Sequence, residues 1–233
     1  MMICSDSLKP NFKRVMEKAN DILVSSIVID TFPFSIKKVI KEKTNIACRS
    51  YLKAGMYGID INAFGSQDAI YQDLEGKGVI FYNEEISSKE RQRFSLNHEF
   101  GHIQLKHDLD DKNNYAIYEI EANFFAAQML MPEQIINELI KRGKDITVEN
   151  LMSWFKVSKM AAQKRLDTLR KIDFSHRSYN ERIIDESIVL KYQTFIDSIA
   201  PKKVDYYDPY LEEELQHERD LWYYISFFFK EVM

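Results

Sequence analysis

The sequence predicts an α+β fold, mainly helical with a small antiparallel sheet, and three observations carry that prediction. Apolar residues recur at helical spacing from the start, as in Phe12, Val15, Met16, Ala19, Ile22 and Leu23. A β-prone stretch follows, broken by Gly65, Gly76 and Gly78. The remaining segments again carry helix starts, helix stops and helical periodicity.

The first helix is expected within residues 11–29, and Thr31-Phe32-Pro33 breaks it. A second begins over Ser35–Lys43. Tyr57–Ile61, Ala69–Gln72 and Gly78–Tyr82 are short strand candidates. Ser87-Ser88-Lys89-Glu90 reads as a capping box with Ser87 as N-cap. The helix it opens runs to about Leu105, with Phe94, His98, His102 and Leu105 along one stripe. Residues 115–131, YAIYEIEANFFAAQMLM, form a strongly helical segment. Pro132 opens a helix to about Arg142, and Gly143 ends it. Thr147 caps another through Phe155. Lys156-Val157-Ser158 then turns the chain into a basic helix ending near Ile172. Glu181–Ile199 reads as one helix stopped by Pro201. Beyond it, acidic Asp205–Asp220 precedes the aromatic run Leu221–Phe229. These signals divide the chain into residues 1–132, 133–172 and 173–233.

Composition narrows the function classes. Cys4 and Cys48 are the only cysteines, too few and too far apart for a disulfide scaffold or a CxxC metal site. The N-terminus, MMICSDSLKPNFKR, lacks the apolar core of a signal peptide. No stretch approaches the roughly 20 apolar residues of a membrane span. A cytoplasmic protein without a membrane partner is the natural expectation. A net charge of −4 argues against generic polyanion binding.

His98-Glu99-Phe100-Gly101-His102 carries the chemistry. Residues four apart on a helix lie on the same face, about 6 Å apart along the axis. Two imidazoles so placed can hold one zinc ion with bonds of about 2.1 Å. Glu99 projects beside such an ion and suits the general base of metal-assisted hydrolysis. With only five histidines in the chain, the spacing is not expected by chance. Gly101 costs about 1 kcal/mol inside a helix, which fits a close approach by another element. A hydrolytic zinc site needs a third protein ligand and an open fourth position. Glu121 and Glu119 are the candidates. Glu121 lies within an apolar face with Phe125, Gln128 and Met129, where an ionised carboxylate is costly unless paired or metal-bound. Glu119 reads otherwise as a solvated carboxylate at a helix start. Asp108, Asp110 and Asp111 read as solvated loop residues. His107, off the ligand stripe, reads as a capping or surface residue. Tyr115, Tyr118, His176 and Tyr179 remain open as oxyanion donors.

HEFGH followed by Glu121-Ala122-Asn123-Phe124-Phe125-Ala126 and Met129-Leu130-Met131-Pro132 resembles the ImmA/IrrE family of bacterial and phage metallopeptidases. The resemblance covers about residues 12–172 and is most specific between 94 and 132. It implies a zincin-like metallopeptidase domain and a cytoplasmic zinc-dependent endopeptidase. It implies His98, His102 and Glu121 as metal ligands, favouring Glu121 over Glu119, and Glu99 as the catalytic base. It also implies a specific protein substrate, a helix-turn-helix repressor. Cleavage would relieve repression in a stress response, in phage or mobile-element induction, or in a toxin-antitoxin system, giving the chain an anti-repressor role in transcription regulation.

The segment around residues 147–172 resembles a helix-turn-helix. Lys159, Gln163 and Lys164 are its candidates for contact with nucleic acid or a partner, although a structural subdomain or a dock for the substrate repressor is favoured over autonomous DNA binding. The alternative from another class is a non-catalytic DNA-binding regulator with a structural zinc. Glu99 and the distance of both cysteines count against it, because structural zinc sites are usually closed by four ligands, mostly Cys. Residues 173–233 are expected to form a helical extension, and their aromatic end could form a homodimer contact.

Overall fold

A computed structural model describes residues 9–60, 68–86, 88–171, 177–202 and 209–231. Two compact units divide the chain. The first comprises residues 1–19 and 35–129, the second residues 20–34 and 130–233. The segments 133–172 and 173–233, read separately from the sequence, fall within the second unit.

In the first unit, helix α1 (Phe12–Ser25) contributes its beginning, and α2 (Ile36–Lys43) follows. Three strands, β1 (Ala47–Ser50), β2 (Ala69–Leu74) and β3 (Lys77–Tyr82), form a sheet of order β1-β3-β2. The sheet is mixed, not purely antiparallel. β2 pairs antiparallel to β3 with Tyr71 opposite Ile80, whereas β1 runs parallel to β3 with Cys48 opposite Ile80. The connection from β1 makes this possible, since parallel neighbours need a long crossover. The expected strand Tyr57–Ile61 does not form. Tyr57 ends a 3-10 helix (Tyr51–Tyr57), Gly58 caps it at φ 71°, and Ile61 lies outside the described residues. Between β2 and β3, Glu75 and Gly76 both take positive φ, as a two-residue hairpin turn requires. Asp73 accepts a bond from the Gly76 amide at 2.7 Å. Val79 and Phe81 pack on Tyr51 and Ala54 beneath the sheet.

Two further helices complete this unit. Helix α3 (Lys89–Leu105) is capped by Ser88, whose hydroxyl accepts from the Arg91 amide. The expected N-cap Ser87 lies outside the described residues. Helix α4 (Tyr115–Leu130) packs against α3 through Phe125 and Phe100, whose ring centroids are 5.8 Å apart. Gly101 is the point of contact. A Cβ there would lie 3.0 Å from Phe125 and 3.3 Å from the Ala122 Cα.

The second unit is helical, with α5 (Glu133–Lys141), α6 (Val148–Phe155), α7 (Lys159–Leu169), α8 (Tyr179–Lys191), α9 (Gln193–Ile199) and α10 (Pro209–Glu231). Phe32 sits at the centre of its aromatic core, with Phe34, Phe155, Tyr192 and Phe195 all within 5.6 Å centroid to centroid. Glu181–Ile199 is broken at Tyr192 into α8 and α9. The buried Tyr192 hydroxyl donates to Leu23 O at 2.7 Å, and Lys191 donates to Leu23, Val24 and Ser26 carbonyls. That anchoring to the end of α1 outweighs helical continuity. Between α6 and α7, Lys156 takes the left-handed conformation and Ser158 caps α7, giving the helix-turn-helix-like hairpin without a glycine. Lys159, Gln163 and Lys164 are exposed on α7. Arg165 of the same helix is buried and donates to Met131 O at 3.0 Å. Among the described residues no helix is long and apolar enough to cross a membrane.

Candidate metal centre

Helix α3 presents His98 and His102 one turn apart, and α4 brings Glu119 to them. The His98 and His102 Nε2 atoms are 3.0 Å apart. Glu119 Oε2 lies 3.4 Å from His98 Nε2, and Glu119 Oε1 lies 3.2 Å from His102 Nε2. Two atoms each about 2.1 Å from a tetrahedral centre stand roughly 3.4 Å apart. The three side chains therefore already have the spacing of ligands around one ion.

Hydrogen bonds behind the rings fix which nitrogens face inward. Asn123 Nδ2 donates to the Glu119 carbonyl at 2.7 Å, which turns Asn123 Oδ1 toward His98 Nδ1 at 3.2 Å. That oxygen can only accept, so His98 carries its proton on Nδ1 and directs the Nε2 lone pair inward. His102 Nδ1 faces His107 Nδ1 at 3.0 Å, and His107 Nε2 faces Glu121 Oε2 at 2.9 Å. The Glu121 carboxylate accepts from His107 Nε2–H, leaving His107 Nδ1 to accept from His102 Nδ1–H. His102 Nε2 is then also an inward lone pair. Two lone pairs and a carboxylate converging on one point fit a divalent cation. Charge effects agree. Burial opposes protonation of His98, yet the hydrogen bond and charge of Glu119 raise its pKa above the ordinary imidazole value. His102 and then His98 hold the Glu119 carboxyl far below the usual carboxylate range. The site draws positive charge, and zinc suits a set of two imidazoles and one carboxylate.

Glu99 stands beside this cluster. Its Oε2 accepts from the Tyr71 amide of β2 at 2.9 Å. Burial pushes its carboxyl pKa up, against the charges of His98 and His102. Tyr115, exposed at the start of α4, hydrogen-bonds Glu119 and feels the Glu99 charge, although burial is the first cause of its raised pKa. Tyr118 instead stacks on His107 at 4.5 Å. Tyr179 belongs to the second unit, and His176 lies outside the described residues.

Two sequence-based assignments change. Glu121, expected as the third ligand, meets His107 instead of the two histidines, and Glu119 is the carboxylate within ligand spacing of His98 and His102. Positions 119 and 121 point about 200° apart around a helix, so one face cannot serve both. Glu121 is indeed buried, but its charge is satisfied by His107 and by the Asn11 amide at 2.6 Å. His107, expected at the surface, has a side chain only 1% exposed. Lys106 adopts φ 54°, ψ 48° after α3, and the His107 amide bonds back to His102 O at 3.0 Å. That turn folds His107 under His102. The signal was present in sequence only as a fifth-residue histidine, because the left-handed residue is not glycine. Asp108 and Asp110 are exposed, as expected.

Residues 56–167 match the peptidase M78 family, described as the IrrE N-terminal-like domain. The match spans α3, α4 and the whole His98, His102, Glu119 cluster. No curated protein matches the chain. With the matched residues containing both the HExxH helix and the carboxylate that stands within ligand spacing of its histidines, residues 56–167 form a metallopeptidase-like domain of the ImmA/IrrE type.

Proposed function

We propose that this chain is a zinc-dependent endopeptidase that cuts a specific regulatory protein, a helix-turn-helix repressor, and so relieves repression. The observation that carries the catalytic part is the convergence of His98, His102 and Glu119 with Glu99 alongside. The repressor substrate and the cytoplasmic setting rest on the family resemblance.

His98, His102 and Glu119 would hold the ion. When bound, zinc supplies a Lewis acid that polarises the scissile carbonyl and acidifies water. Glu99 takes the proton of the attacking water and delivers it to the leaving amine as the C–N bond breaks. Its raised pKa suits both halves of that task. The Tyr71 amide holds the carboxylate in place from β2. That strand is the sheet's edge, so an extended substrate pairing along it would pass Glu99. Tyr115, which hydrogen-bonds Glu119 beside the cluster, would turn its hydroxyl toward the developing oxyanion.

A Glu99→Gln variant tests this reading. It is expected to bind zinc like the wild type and to lose cleavage of a repressor substrate. A variant that still cuts would remove Glu99 from the role of base.

The exposed Lys159, Gln163 and Lys164 on α7 favour a second reading of that helix, as a surface that docks the substrate or contacts DNA. Tight, sequence-specific, salt-tolerant gel shifts by the full chain would favour DNA. Leu221, Trp222 and Tyr223 are exposed on α10, and light scattering of the purified chain tests whether they support a homodimer.

A further inference from the structure

We infer that His107 and Glu121 are positioning residues of the metal site, an outer arm that fixes the proton of His102 on Nδ1 and keeps its Nε2 lone pair aimed at the ion. The inference rests on the metallopeptidase reading and deepens it.

The arm is continuous and enclosed. Glu121 Oε2 meets His107 Nε2 at 2.9 Å, and His107 Nδ1 meets His102 Nδ1 at 3.0 Å. The His107 side chain is 1% exposed and that of Glu121 is 6% exposed, so water does not substitute readily for either partner. The far oxygen of Glu121 accepts from the Asn11 amide at 2.6 Å, which fixes the carboxylate. Tyr118 stacks on the His107 ring, tilted by 17° at 4.5 Å, which fixes its plane. Each atom in the row has one hydrogen-bonding role. A carboxylate can only accept, a neutral imidazole with one donor nitrogen must accept at the other, and the direction of every bond follows.

The two histidine ligands are thereby supported differently. His98 is held by the neutral amide of Asn123. His102 is held by an imidazole backed by a carboxylate, which passes negative charge toward the ligand and raises its basicity. Outer partners of this kind typically change metal affinity by 10–100-fold when removed. A merely structural His107 would instead matter through the volume it fills beside Tyr118.

Two replacements of His107 separate these roles. His107→Asn is smaller but places an amide oxygen close to where Nδ1 stood, able to accept from His102. His107→Leu fills more of the space and accepts nothing. Zinc dissociation constants are measured by competition with a chromophoric chelator, on the metal-free full chain. The leucine variant is expected to bind zinc about 10–100-fold more weakly than the wild type, with the asparagine variant recovering most of that loss. Glu121→Gln, which keeps the shape of the carboxylate, is expected to lose about tenfold. Leucine binding as tightly as wild type, or asparagine binding more weakly than leucine, would overturn the inference. Failure of the wild type itself to bind zinc would overturn the metallopeptidase reading along with it, and that result is recognised in the wild-type titration alone.

Discussion

Glu119 and Glu121 stand two positions apart on α4 and meet His102 from opposite sides, Glu119 directly and Glu121 through His107. Glu119 closes the inner triangle with His98 and His102, 3.4 and 3.2 Å from their Nε2 atoms. Glu121 reaches the same His102 from behind, through His107. One helix turn thus supplies both the carboxylate that meets the two histidines and the one that backs His102 through His107, and Asn123, one turn beyond Glu119, hydrogen-bonds His98.

Tyr118 stacks on His107, whereas Tyr115 hydrogen-bonds Glu119 beside the cluster, and in the proposed reaction Tyr115 would be the oxyanion donor. Tyr115→Phe is expected to lower kcat about a hundredfold, the usual cost of one oxyanion donor, with zinc affinity unchanged. Steady-state kinetics on a cleaved substrate, with metal content measured in parallel, check this. An unchanged kcat would exclude Tyr115 from the reaction.

Gly101 sets the separation of α3 and α4, because a Cβ would press on Phe125 at 3.0 Å and on the Ala122 backbone at 3.3 Å. Gly101→Ala gains about 1 kcal/mol of helix propensity. It costs about 1–3 kcal/mol in overpacking, which wins. The variant is expected to melt at lower temperature and to bind zinc more weakly, because the shift of α4 moves Glu119 away from the histidines. Chelator competition and a thermal melt measure the two effects.

Lys106 holds a left-handed conformation at φ 54° that a side chain disfavours by about 1–2 kcal/mol. Lys106→Gly removes that strain and gives back part of the gain in chain entropy. A net stabilisation of about 1 kcal/mol is expected, or roughly 2–4 °C in the melting temperature. Zinc affinity should hold, since glycine keeps the turn that carries His107 under His102. A lower melting temperature would contradict the assigned turn.

Burial pushes the Cys48 thiol up to about 11, although the charges of Lys37 and Arg49 pull the other way. The thiolate is the reactive form. At pH 8 a thiol two units above its ordinary pKa presents about a hundredfold less of it. In a Cys4→Ser background, Cys48 is expected to react with a disulfide reagent about a hundredfold more slowly than after unfolding. The rate should rise about tenfold per pH unit toward pH 11. Rapid reaction at pH 8 in the folded chain would contradict that burial.

The chemistry was more legible in the sequence than the geometry around it. His98, Glu99 and His102 follow from spacing alone, since helical periodicity makes i and i+4 neighbours whatever the tertiary structure. The third ligand narrows to two carboxylates, and both the apolar surroundings and the family resemblance favour Glu121. Burial is real there, yet a buried carboxylate needs only a partner, and His107 and the Asn11 amide provide one from elements distant in sequence. The face shared by Glu119 and Asn123 held the better clue, since both must reach α3. Strand β1 escaped notice because Ala-Cys-Arg-Ser has neither alternation nor length, and its pairing comes from β3. The break at Tyr192 is likewise tertiary, set by the bond to Leu23.

The most direct measurement is metal content by elemental analysis of the full chain, purified without added metal, for the wild type, Glu119→Ala and Glu121→Gln. The wild type is expected to carry about one zinc per chain. Glu119→Ala should lose it, and Glu121→Gln should keep a substantial part, because it removes only the charge behind His102. Zinc retained in Glu119→Ala and lost in Glu121→Gln would return the third ligand to Glu121 and contradict the arrangement of α4. A wild type that takes up no zinc even when it is supplied would contradict the metal site as a whole.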